Sequence, residues 1–207
     1  MVGPEIVFGY FPNLTPEQQS QIRALHDIYT WHNERVNLIS RKDMDMFYVH
    51  HVLHSLALAK VCAFEPGMKV IDIGTGGGFP GIPLSIMFPE VQFTLCDSIA
   101  KKIRAVQDVI DRLELKNATA LNSRTEQLSG KYNLATARAV APMIDLWNWM
   151  KGKWASNPRF CLLKGGDLAS EMNDLLMVQK SLKIRSSSIA DFYIEPFFET
   201  KKVISID

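Results

Sequence analysis

Five glycines fall within residues 74–81, directly after the short apolar run 70–73. The run reads as a buried strand and the glycines as the turn that leaves it. A glycine turn between a strand and a helix brings backbone N–H groups up to a ligand, because no Cβ blocks the approach. Gly76-x-Gly78-x-x-Gly81 matches the dinucleotide fingerprint. Asp72 argues for a different ligand. It stands at the end of the strand, where a dinucleotide-binding strand stays apolar. A carboxylate there either accepts hydrogen bonds from loop N–H groups or attracts a cationic ligand. Asp97 follows 25 residues later, at the end of the next apolar run. An acid at that place takes ribose hydroxyls in nucleoside-binding α/β folds, and its alternative role is to cap the next helix. Three cations, Arg124, Arg138 and Lys164, follow three further strand-like runs. The carboxyl edge of a central strand is where α/β sheets bind ligands, so Arg138 is read as functional.

These residues need a frame to hold them. Strands are expected over 69–73, 91–96, 118–121, 133–137, 160–163, 182–193 and 201–206. Helices are expected over 82–87, 99–113 and 143–154, with another capped by Asp167. Pro80 and Gly81 open the first of these, since proline is tolerated in a first helical turn. The second carries Ile103, Val106, Val109, Ile110 and Leu113 on one face. Alternating strands and helices give an α/β fold with a largely parallel seven-stranded sheet, covered on both sides. Ahead of it, Thr15-Pro16-Glu17-Gln18 is a capping box with proline at N1. The helix it starts has Ile22, Leu25, Ile28 and Tyr29 on its apolar face. A second helix is expected over 43–62, burying Phe47, Leu53, Leu56 and Ala57. The turn Glu65-Pro66-Gly67 divides a helical cap, 1–64, from the core, 65–207.

Composition sets the remaining bounds. With 207 residues, 47% hydrophobic and 22% charged, the chain is an ordinary globular protein of one domain plus a small appendage. No apolar run reaches the roughly 18 residues of a membrane span, and the first residues lack the pattern of a signal peptide. A cytoplasmic, monomeric protein without membrane contact is expected. Cys62, Cys96 and Cys161 have no metal spacing, and all three are expected as reduced thiols. His50 and His54 lie one helical turn apart, but no carboxylate or cysteine completes a set, so no metal is expected. The net charge of +1 excludes a protein that coats nucleic acid non-specifically. It leaves room for a local basic face: residues 98–131 hold seven Lys/Arg against four Asp/Glu.

Asp72-x-Gly74-x-Gly76-x-Gly78 resembles motif I of the S-adenosylmethionine methyltransferases. That ligand carries an ammonium and a sulfonium but no phosphate, so a carboxylate near the loop suits it. Over nearly its whole length the chain is similar to the RsmG (GidB) family of bacterial 16S rRNA guanine-N7 methyltransferases. The most specific match is the run from Asp72 through Gly74, Phe79 and Gly81 to Leu84. Asn37-Leu38 and 51–55 stand before it. Asp97-Ser98, Lys101-Lys102, 123–126, 138–141 and 163–165 stand after it, all in family order. The resemblance implies a class I (Rossmann-like) methyltransferase fold with S-adenosylmethionine as methyl donor. It implies as substrate a guanine in the decoding-region loop of small-subunit rRNA, reached within a small-subunit particle. By position, Gly74, Gly76, Gly78, Phe79 and Asp97 border the cofactor, Thr125 and Glu126 meet its adenine, and Arg138 lies near the methyl donor. Arg124, Arg138 and Lys164 form the RNA-facing cluster. His54 stands where the family usually has Asp, His50 where it often has Arg, and Lys201 or Lys202 where Arg is common. Guanine N7 has a free lone pair, so an in-line methyl transfer there calls for no general base.

Three other functions use similar parts. A methyltransferase of small molecules or proteins would share the cofactor loop. A nicotinamide-dependent oxidoreductase would share the glycines, but Asp72 and the lack of a Tyr-x-x-x-Lys pair speak against it. A protein that binds S-adenosylmethionine without catalysis is the third.

Overall fold

The computed structural model describes residues 2–207. The chain opens with α1 (Glu5–Tyr10), which has no counterpart in the expected elements, and continues into α2 (Pro16–Asn33). The capping box forms as expected: the Thr15 hydroxyl accepts from the Gln18 N–H, and the Gln18 side chain accepts from the Thr15 N–H. The same Gln18 amide donates to the carbonyls of Ile86 and Met87, tying α2 to the core. Ile22, Leu25 and Tyr29 are buried.

The expected helix over 43–62 is a broken helical run. It comprises a 3-10 segment Arg41–Met46, a π-helical turn Tyr48–Leu53, one α-turn α3 (His54–Leu56) and a 3-10 turn Ala57–Lys60. At this wide turn the His50 carbonyl accepts from the Arg138 guanidinium at 3.3 Å. Phe47, Leu53, Leu56 and Ala57 are fully buried all the same.

The core follows as β1 (Lys69–Ile73), α4 (Gly81–Met87), β2 (Gln92–Asp97), α5 (Ala100–Arg112) and β3 (Ala118–Asn122). It continues with β4 (Leu134–Arg138), α6 (Met143–Trp149), β5 (Phe160–Gly165), α7 (Ala169–Val178), β6 (Ile184–Ser188) and β7 (Lys201–Ile206). The seven strands form one sheet in the order β3-β2-β1-β4-β5-β7-β6, parallel except for β7, which runs against both neighbours. The expected α/β architecture is therefore present, with two elements shorter than expected. α6 stops at Trp149 rather than 154, and the strand expected over 182–193 is only β6, ending before a 3-10 turn at Ile189.

Strand alternation divides the core between the two sheet faces. Val70 packs among α2, the broken run, α4 and α5, whereas Ile71 and Ile73 pack toward α6. The order of chain reverses between β1 and β4, which opens a crevice at the carboxyl ends of the central strands.

The expectation of three reduced thiols is overturned. Cys62 and Cys161 form a disulfide across 99 residues, and only Cys96 is free. The run Ala57–Lys60 lies against β5 and delivers Cys62 to within 6.4 Å, Cα to Cα, of Cys161. Such a meeting depends on tertiary packing and leaves no trace in spacing.

Candidate functional site

The loop after β1 crosses the crevice. Gly74 and Gly76 both have left-handed φ, +60° and +59°. A Cβ on Gly74 would stand 2.8 Å from the Val140 methyls, whereas one on Gly76 would meet nothing closer than the Gly74 carbonyl at 3.9 Å. Gly76 therefore faces open space. The loop is fixed from below by Asp72, which is fully buried. Its carboxylate accepts from the Thr75 hydroxyl at 2.5 Å, the Gly81 N–H at 3.0 Å and the Thr136 hydroxyl at 3.2 Å. Of the two roles open to Asp72, the structure gives it the hydrogen-bonding one. Burial raises its pKa to about 6, and the donors around it pull the other way.

A cavity of about 500 Å³ lies in front of the loop, over the ends of β1, β2 and β4. Gly74, Gly76, Asp97, Thr125, Glu126, Arg124 and Arg138 all line it. Asp97 accepts from two backbone N–H groups. One carboxylate oxygen accepts from the Gly76 N–H at 3.0 Å, and the other from the Ile99 N–H at 2.8 Å at the start of α5. Thr125 is buried and touches the Cys96 thiol at 3.3 Å. Behind it, buried Lys153 donates to the carbonyls of Glu126 and Leu128 and holds that 3-10 turn against the sheet.

Gly78 and Phe79 do not line the cavity. A Cβ on Gly78 would meet Ile82 and the Tyr29 hydroxyl, so this glycine serves close packing of α2 on the loop. Phe79 is buried between Tyr29, Phe47 and His51. The Tyr29 hydroxyl donates to the Gly77 carbonyl at 2.6 Å and fastens the loop to the cap.

The three cations part company. Arg124 is exposed at the cavity wall. Arg138 also lines it, with its guanidinium 5.1 Å over the Phe79 ring and bonded to the His50 carbonyl and His51 Nδ1. Burial lowers its pKa to about 10, with Asp72 opposing. Lys164 lies outside the cavity and donates to the Ala141 carbonyl at 2.7 Å and Glu171 Oε1 at 2.5 Å. The same Glu171 oxygen accepts from the Met143 N–H, so this pair clamps the loop between β4 and α6.

Lys102, Ser98, Val140 and Trp149 also line the cavity; the first three fall in stretches that carry the family resemblance but were given no site role. Trp149 had a signal only in its helix, whose expected end was misplaced. In the cap, His50 bonds Asp43 at 3.0 Å and stacks on Phe197, with ring centroids 4.0 Å apart. His54 is buried beside Phe197 and Phe198, and burial lowers its pKa to about 3. These two residues thus join the cap to the segment before β7.

The structure is similar to a SAM-dependent methyltransferase from Aquifex aeolicus, with a TM-score of 0.59 at 14% identity over 81% of this chain and 98% of that one. A ribosomal protein L11 methylase from Lactobacillus delbrueckii gives 0.56 at 14% identity, covering 75% and 76%. These likenesses establish the class I methyltransferase fold. In sequence, the profile described as rRNA small subunit methyltransferase G matches residues 18–196. A protein named ribosomal RNA small subunit methyltransferase G from Flavobacterium johnsoniae is 46% identical, over 97% of this chain and 96% of its own. One of the same name from Bacteroides thetaiotaomicron is 44% identical, over 97% and 98%. The chain therefore belongs to the rRNA small subunit methyltransferase G family of enzymes.

Proposed function

We propose that this enzyme transfers a methyl group from S-adenosylmethionine to N7 of a guanine in 16S rRNA, in the decoding-region loop of a small-subunit particle. The carrying observation is the cavity over β1, β2 and β4, where the Gly76 turn and Asp97 meet. Its volume falls in the range of about 300–1,000 Å³ typical of small-molecule sites. The donor set suits a nucleoside better than a phosphate. Asp97 presents a carboxylate at the place for ribose hydroxyls, and the Thr125–Gln127 turn borders an adenine. Gly74 and Gly76 keep the wall low, while Gly78 and Phe79 support the turn from the cap side.

When bound, S-adenosylmethionine supplies an electrophilic methyl group on a sulfonium, and the transfer runs in line to N7. The protein's part is alignment and exclusion of water. Well-oriented intramolecular reactions gain roughly 7–11 kcal/mol from positioning. No residue has to remove a proton, because N7 offers a lone pair in the normal tautomer. Arg124 and Arg138 bind phosphate or the guanine O6. Arg138 stays off N7 itself, since its charge disfavours a cationic product placed beside it. Lys164 belongs to this substrate cluster through the loop it clamps. We further read residues 1–64 as a cap on the 65–207 core, and the protein as a cytoplasmic monomer without membrane contact.

Calorimetric titration with S-adenosylmethionine and with NADH tests the cofactor reading. Binding of the first and not the second is expected, and the reverse overturns it. Single-turnover methyl transfer tests the chemistry. Its rate should be nearly flat between about pH 7 and 9, above the range in which Asp72 titrates and below that of Arg138.

A further inference from the structure

Of the three cations on the cavity wall, Lys102, Arg124 and Arg138, only Arg138 is gripped from the cap side. One guanidinium nitrogen donates to the His50 carbonyl at 3.3 Å and the other to His51 Nδ1 at 3.1 Å, and the face of the group lies over Phe79. Among the described residues no carboxylate pairs with it, nor with Arg124, whereas Lys164 is paired with Glu171. The difference matters chemically. A carboxylate would orient the guanidinium but also neutralise it, and would compete with a phosphate or a guanine oxygen for its N–H groups. A carbonyl and a neutral imidazole orient the same group and leave its charge intact.

His51 is placed for that task. It is buried, at 7% exposure, on the π-helical turn Tyr48–Leu53, which brings its ring and the His50 carbonyl to the same guanidinium. To accept from Arg138, Nδ1 must be unprotonated, so the ring proton sits on Nε2. Nε2 faces Asp43 Oδ2 at 3.8 Å. The charged or titratable groups around the ring are Arg138, Asp43, His50 and His54. Burial, then Arg138, lower its pKa to about 3, so the accepting form persists throughout the working pH range. Asp43 bonds His50 Nδ1 at 3.0 Å, while its distance to His51 Nε2 is beyond hydrogen-bonding range and leaves that buried nitrogen without a hydrogen-bond partner.

We propose that His51 is a positioning residue for methyl transfer: with Asp43 behind it, its Nδ1 orients the Arg138 guanidinium toward the RNA without neutralising it. This rests on the reading of Arg138 as a substrate-holding residue.

The test uses the full-length protein, tritiated S-adenosylmethionine and small-subunit particles from cells lacking the gene. His51→Leu removes the acceptor. It should slow single-turnover transfer about 10- to 100-fold, as expected for a misplaced catalytic geometry. S-adenosylmethionine affinity should stay within about twofold. His51→Asn places an amide oxygen near the Nδ1 position and should restore most of the rate. His51→Gln places its amide near Nε2 and should not. In an Arg138→Ala background, His51→Leu should cause no further loss, because residues that act through one another are not additive. Additive losses, equal rates for Asn and Gln, or full activity of His51→Leu beside an impaired Arg138→Ala overturn the role of His51 alone. Full activity of Arg138→Ala overturns the underlying reading of Arg138 as well. If His51→Leu does not fold, the Asn and Gln pair decides.

Discussion

Asp72 is a buried carboxylate whose three donors hold the cofactor loop in shape. Its folded pKa, about 6, lies above the unfolded value near 4. The folded state therefore binds this proton more tightly between those values. The stability this protonation contributes is fully present below about pH 4 and lost as the pH rises through 6. Asp72→Asn keeps an oxygen for Thr75 and Gly81 and removes the charge. Relative to the native protein, the variant should gain on the order of 2–3 kcal/mol between pH 4 and pH 7. Urea midpoints of both proteins at the two pH values check this. At Gly76 the expected effect is on binding. Valine there takes a left-handed backbone at about 1–2 kcal/mol and fills open cavity, so affinity for S-adenosylmethionine should fall at least about tenfold by calorimetry. At this scale, residues whose place follows from chain position were legible. Asp72, Gly76, Asp97 and Arg138 each stand at the end of a strand or in the turn after it, and the structure puts them around one crevice. The parts played by Gly78, Phe79 and Lys164 were not, because each depends on a neighbour from another segment: Tyr29, Phe47 and the Ala141 carbonyl.

Among the elements, α2 and the loop between β4 and α6 do the most to shape the site. Thr15→Ala removes half of the capping box and should lower stability by about 1 kcal/mol in urea, with cofactor affinity unchanged. Lys164→Met leaves Glu171 unpaired against the Met143 N–H and releases the Ala141 carbonyl. That should destabilise the fold on the order of 3 kcal/mol. Glu171→Gln should share the phenotype, which calorimetric melting of both variants would reveal. A loss of RNA binding in Lys164→Met without loss of stability would instead make Lys164 a direct contact. The strands and amphipathic α5 were readable because their periods are strong. The helix over 43–62 read as continuous because its burial pattern is helical, while its π-turn, where the His50 carbonyl accepts from Arg138, leaves no periodic signal. Likewise α1 is only six residues long, with one fully buried side chain, too short for a periodic signal.

For the molecule as a whole, a net charge of +1 means that RNA must be met by a few placed cations rather than a general field. Methyl transfer should therefore weaken as salt rises, with the modest slope of a small number of phosphate contacts. A slope as steep as that of a ten-phosphate binder would point to a much wider basic surface. The fold and its crevice were legible from the alternation of strands and helices and from the glycines, but the cross-link between Cys62 and Cys161 was not, because it joins segments that meet through tertiary packing alone. The central claim is a position on RNA, and one measurement addresses it directly. Small-subunit particles from cells lacking the gene are incubated with the purified protein and S-adenosylmethionine, and their 16S rRNA is mapped by mass spectrometry and by borohydride–aniline cleavage. A single new N7-methylguanosine in the decoding-region loop, absent without the protein, is expected. Methylation at another atom or base, or a label found in protein instead of RNA, would contradict it.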